Sequence, residues 1–192
     1  TAPKISILGD GISTFEGYTP RVGSFYSPSY ASYSGFNTAE GTWWMQAIEQ
    51  LGGRFLCNNS FTGSYVCYTG HYSAALPGRI RTLATETEKP DVIFIYTGLN
   101  DAANAVPTDL FQRDYEEMLS RVQKFFPEAK VWVGTLMVGD APTGGRPYYI
   151  EPECFETLED YNSVIRGCLP SQPERHGPVG AALAASHEIS KF

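Results

Sequence analysis

Three short runs hold polar and glycine residues of the kinds that can build a ligand site. They are Gly9-Asp10-Gly11-Ile12-Ser13, Asn58-Asn59-Ser60-Phe61-Thr62-Gly63-Ser64 and Thr97-Gly98-Leu99-Asn100-Asp101. A side-chain carboxamide such as Asn100 can donate hydrogen bonds to a bound ligand. Gly63 suits the same task through its backbone, because a residue without Cβ lets the main chain approach a substrate closely. Asp10, Ser64 and Asp101 stand beside these donors, and His71 follows the second run within Tyr68-Thr69-Gly70-His71-Tyr72. Each run alone is weak evidence, since Gly-Asp and Asn-Asp are ordinary turn sequences. Their specificity comes from order: each follows a β-rich apolar stretch.

Those stretches imply the scaffold. Lys4–Leu8 reads as a first strand ending at Gly9. Thr42 is placed to cap a helix carrying Trp43, Trp44, Ala47, Ile48 and Leu51, stopped by Gly52-Gly53. Arg54–Asn58 reads as a second strand, and Pro77 to about Thr87 as a helix with Ile80, Leu83 and Ala84 inward. Val92–Tyr96 is continuously apolar, as a central parallel strand covered on both faces should be. Thr108 is expected to cap a long helix with Leu110, Phe111, Tyr115, Met118, Leu119, Val122 and Phe126 inward, ended by Pro127. Val131–Leu136 is the next strand, and residues 153–169 form a helix with Phe155, Leu158, Tyr161 and Ile165 inward. This alternation predicts an α/β fold with a doubly wound parallel sheet between two helical layers. Ligands of such sheets bind beyond the carboxyl ends of the strands, where all three runs fall. Two long Gly-, Pro- and Tyr-rich connections, 14–40 and 137–152, read equally as binding loops or as loops packed down by their own tyrosines.

Composition narrows the function classes. The 192 residues suit one domain spanning 1–192, and 42% are apolar, enough for a proper core. Only 18% are charged, which argues against a disordered chain. Lys and Arg number 14 against 21 Asp and Glu, a net −7, so a nucleic-acid partner is not expected. No apolar run approaches the roughly 20 residues of a membrane span. The first residues show no basic, apolar leader, and export is left open alongside a cytoplasmic location. Cys57, Cys67, Cys154 and Cys168 lack zinc-finger or redox spacing and read as buried thiols, with a Cys57–Cys67 disulfide as the alternative. Asn58-Asn59-Ser60 is formally a glycosylation triplet. No His/Asp/Glu cluster suggests a metal and no Gly-rich phosphate loop follows the first strand, so neither metal nor cofactor is expected.

Taken together, the three runs resemble the SGNH (GDSL-type) hydrolase family, over about Lys4 to Arg166. The stretch from Ile7 to Tyr18 is similar to esterase-like bacterial members. The resemblance implies a flavodoxin-like three-layer fold and Ser-His-Asp acyl transfer on esters, including acetyl groups on carbohydrates. It puts the nucleophile position at Gly11 and oxyanion donors at Gly63 and Asn100. Asp10, Ser64, His71 and Asp101 fall around the substrate, with Asp10 and Asp101 expected to brace loops through backbone N–H groups. Aromatic residues of the long loops, among them Phe15, Tyr18, Phe25, Tyr26, Tyr148 and Tyr149, suit sugar stacking or core packing equally.

The chain departs from that pattern twice. Position 11 is glycine, which has nothing to attack with. Either a serine has been replaced, which the close match of the flanking residues favours, or the chain is naturally inactive. Ser13 is two positions away and aims elsewhere. Second, no Asp-x-x-His occurs late in the chain. The run from Arg175 to Ala185 looks like the segment preceding that block, so the chain is expected to stop short of it and of the closing helix. His176, with Glu174 nearby, is the alternative base. The resulting expectation is an ester hydrolase in an inactive or strongly impaired form. Its rival is a ligand-binding or interaction module that keeps the fold.

Overall fold

The structure is a computed structural model, and it describes residues 1–20, 23–30, 35–68, 72–137 and 155–169. Four parallel strands form one sheet: β1 (Lys4–Gly9), β2 (Arg54–Ser60), β3 (Val92–Tyr96) and β4 (Lys130–Val133), in the order β2-β1-β3-β4. Neighbouring strands β1 and β3 are not consecutive in the chain, so the sheet winds in both directions from them. That is the topological switch point at which α/β sheets bind ligands.

The period-2 alternation of strand side chains sorts the core into two layers. Ile5, Ile7, Val92 and Phe94 point to one face, against Trp44 and Ile48 of helix α1 (Trp43–Gln50). Leu8, Ile93 and Ile95 point to the other. There they meet α2 (Pro77–Arg81), α3 (Leu99–Ala103), α4 (Thr108–Phe125) and α5 (Phe155–Gly167). The expected three-layer doubly wound fold is therefore present.

Local differences have local causes. Thr42 does cap α1, its hydroxyl accepting from Met45 N–H. Helix α2 stops at Arg81 rather than near Thr87, because Thr82 turns back: its N–H reaches the Arg79 and Ile80 carbonyls and its hydroxyl donates to Arg79 O at 2.7 Å. Pro107, not Thr108, is the residue before α4 and is extended, and no side chain caps that helix. Strand β4 ends at Val133, not Leu136. Beyond it, both backbone groups of Leu136 are taken by the Asn162 carboxamide of α5, its Oδ1 accepting at 2.7 Å and its Nδ2 donating at 3.0 Å. Cys57, Cys67 and Cys168 are free thiols, which corrects the disulfide alternative. Cys57 sits mid-strand in β2, and Cys67 lies in the core layer beneath Leu8, its N–H held by Asp101. Asn58 is buried inside β2 with its amide bonded to Ser13 O, so the glycosylation triplet is not an accessible acceptor.

Candidate active site

The first run makes a tight turn directly beyond β1. Asp10 accepts from Ile12 N–H with Oδ1 and so caps the 3-10 turn Gly11–Ser13. The turn is tied onward by Thr14, whose hydroxyl donates to Gly11 O at 2.7 Å. Gly11 does not have a positive φ. A Cβ there would meet Thr62 Cα at 3.5 Å, Thr62 Oγ1 at 3.6 Å and Phe25 Cβ at 3.7 Å, all ordinary contacts. Both backbone and space thus admit a side chain at position 11. Ser13 is no substitute: it is fully buried, and its hydroxyl accepts from Trp43 Nε1.

The same contacts place Thr62 beside Gly11, and with it Gly63. Gly63 has φ +75°, a conformation that strains any residue with a Cβ, which explains the glycine. Its N–H has no hydrogen-bond partner among the described residues. The third run closes the group. Gly98 has φ +126° at the start of α3, and a Cβ there would meet the Phe111 ring at 3.0 Å. Two residues on, Asn100 Nδ2 donates to Ser64 O at 2.8 Å. An amide nitrogen carries two hydrogens, so one remains for a ligand. Gly11, Gly63 and Asn100 therefore converge beyond the carboxyl ends of β1, β2 and β3.

The remaining residues of the three runs support this group from behind. Asp101 is fully buried, and its two oxygens accept from Val66 N–H at 2.8 Å and Cys67 N–H at 3.0 Å. Asp114 of α4 extends the clamp to Tyr68 N–H at 3.0 Å. Ser64 is also buried, its hydroxyl donating to Tyr72 O at 2.9 Å. Asp10 is 1% exposed, and its Oδ2 has no partner among the described residues. Burial pushes its carboxyl up to about 7, with a smaller push from Asp101, against the pull of the Ile12 and Leu99 N–H groups and of Arg79. His71 and His176, with Glu174, Tyr148 and Tyr149, lie outside the described residues, as does the Phe155 side chain.

Arg79 is the functional residue that motif reading missed. It is 7% exposed. Its guanidinium donates to Gly9 O at 3.0 Å, Asn59 O at 2.8 Å and Asn59 Oδ1 at 2.9 Å, and also to Ser64 Oγ and Tyr72 O. It also lies 4.7 Å from the Phe61 ring centre. One side chain so joins the ends of β1 and β2 to the loop after Gly63. Burial draws its pKa down to about 9, opposed by the negative charge of Asp10. A signal was present: Arg79 is four residues before Leu83, on the inward face of its helix.

A doubly wound parallel sheet with hydrogen-bond donors gathered over its switch point is an α/β fold with a candidate ligand site. The chain belongs to the GDSL-like lipase/acylhydrolase family, whose model matches residues 3–138. No curated protein sequence matches it significantly. Among solved structures, a protein classed as a GDSL-like lipase from Bacteroides ovatus superposes with TM-score 0.65 at 21% identity, covering 98% of this chain and 97% of that one. A carbohydrate esterase family 3 protein from Talaromyces cellulolyticus gives 0.54 at 16% identity, covering 90% and 75%. An acetyl esterase variant with a serine-to-alanine substitution, solved with acetate ion, gives 0.51 at 17% identity, with the same coverage.

Proposed function

We propose that this chain carries the acyl-ester site of a Ser-His-Asp hydrolase, binding small acyl esters, among them acetyl esters of carbohydrates, and that Gly11 leaves it poor at turnover. The observation that carries this reading is the convergence of the Gly11 turn, the Gly63 N–H and the Asn100 carboxamide over one end of the sheet. With a serine at position 11, its hydroxyl would lie near Thr62 and attack the ester carbonyl carbon; collapse of the intermediate breaks the ester C–O bond, the alcohol leaves with the proton, and water hydrolyses the acyl-serine. The carbonyl oxygen turns toward Gly63 N–H and Asn100 Nδ2 as it gains charge. One such donor is worth about 3–4 kcal/mol. The proton goes to a histidine base in this reading, for which His176 is the alternative that the sequence offers to an Asp-x-x-His block. Asp10, Arg79 and Asp101 hold the donors in place and do not touch substrate.

A second reading is a non-catalytic module that binds acyl esters or their carboxylate products. It is favoured by the glycine at position 11, and by the acetate ion present with the serine-to-alanine relative. One experiment separates the two. Gly11→Ser is expected to raise hydrolysis of 4-nitrophenyl acetate at least about a hundredfold over the parent chain. Adding Asn100→Ala should then remove roughly a hundredfold or more of that gain. A folded Gly11→Ser variant that stays inert while the parent binds acetate selects the module.

A further inference from the structure

The walls around position 11 have a chemical consequence for the acyl group. A Cβ on Gly11 lies against Thr62 Cα and Oγ1 and Phe25 Cβ, between 3.5 and 3.7 Å from each. An acyl carbon bonded to an oxygen at position 11 sits only two bonds beyond that Cβ. Any chain it carries starts beside the same two residues.

The Phe25 wall is pinned to the turn it faces. The Thr14 hydroxyl that donates to Gly11 O also accepts from Phe25 N–H, at 2.7 Å in both bonds. Glu16 N–H donates to Tyr26 O at 2.9 Å, and the Thr19 and Ser24 hydroxyls meet at 2.8 Å. Residues 14–19 and 24–26 are thereby laced together. Gly23 adds a contact of its own: a Cβ there would lie 3.9 Å from Thr62 Cβ. The Phe25 ring packs edge-on against Tyr26, with centres 4.9 Å apart, and remains 37% exposed. Thr62 is exposed as well.

We infer that Phe25 and Thr62 are specificity-determining residues, two walls of a slot over Gly11 that admits acetyl- or propionyl-sized groups and refuses longer chains. This deepens the reading of an acyl site and rests on it. A crowded acyl site discriminates by about tenfold or more for a methylene it cannot accommodate.

The test uses the parent chain and four sodium carboxylates: acetate, propionate, butyrate and hexanoate. Each is titrated while the Gly63 amide signal is followed by NMR. Acetate and propionate should bind, with hexanoate at least about tenfold weaker. Phe25→Ala should bring hexanoate to within about threefold of acetate, and Thr62→Ala should shift the preference the same way. Asn100→Ala should weaken every length alike. Equal binding of all four acids, still weakened by Asn100→Ala, overturns the slot and leaves the site standing. A length preference that neither Phe25→Ala nor Thr62→Ala changes also overturns it. Absence of binding by any acid, with Gly11→Ser inert, overturns both.

Discussion

Asp10 shows how much one side chain beside the site depends on its surroundings. It is buried, one oxygen caps the Gly11 turn, and the other has no described partner. Desolvation favours the neutral acid and raises its pKa from 3.8 to about 7. The folded state therefore binds a proton that the unfolded state releases, and stability falls with pH between those two values. Asp10→Asn keeps an oxygen for Ile12 N–H and removes the titration. Its unfolding temperature, measured from pH 4 to 8, should gain on the parent as pH rises to about 7 and then run parallel. A constant difference across that range would contradict the assignment. Gly11 makes the complementary point, since its backbone and its neighbours admit a side chain that the sequence does not supply.

At the scale of elements, the loops are held by buried charged groups rather than by the strands that lead into them. Arg79 of α2 gathers Gly9, Asn59, Ser64 and Tyr72, while Asp101 of α3 and Asp114 of α4 hold three successive N–H groups from Val66 to Tyr68. Removing Arg79 leaves several buried acceptors unpaired, each costing about 1–3 kcal/mol. Arg79→Met should therefore lose about 3 kcal/mol or more in urea unfolding. Arg79→Lys should recover only part, because an ammonium cannot span the acceptors that a planar guanidinium reaches. Full recovery by lysine would show that charge alone matters there. The motif runs did not reveal this bracing, because three of its five acceptors are backbone carbonyls, which have no signature in sequence.

At the scale of the molecule, the parallel sheet makes the site possible by ending β1, β2 and β3 at one rim. Strand β3 lies inside the sheet, with Ile93 and Ile95 in one core layer and Val92 and Phe94 in the other. Ile93→Ala should cost about 2–5 kcal/mol, read by denaturant unfolding, because a fully buried side chain leaves a cavity. A loss below about 1 kcal/mol would mean that this layer relaxes freely. Among the described residues, no helix is long and apolar enough to cross a membrane.

Strand and helix order were legible in the residues themselves. Continuous apolar runs such as Val92–Tyr96, the Thr42 cap and the stripe of α4 are local patterns, and local patterns determine element type and, through handedness rules, the doubly wound class. The three motif runs likewise marked where chemistry should gather. Only the tertiary structure decided what stands behind and around them. Arg79 came to the site because β1 and β2 are neighbours in space, 70 residues from Gly9 in sequence. Phe25 came to face Gly11 because a threonine hydroxyl bridges two loop segments. Such contacts depend on long-range packing, which no spacing within the chain encodes.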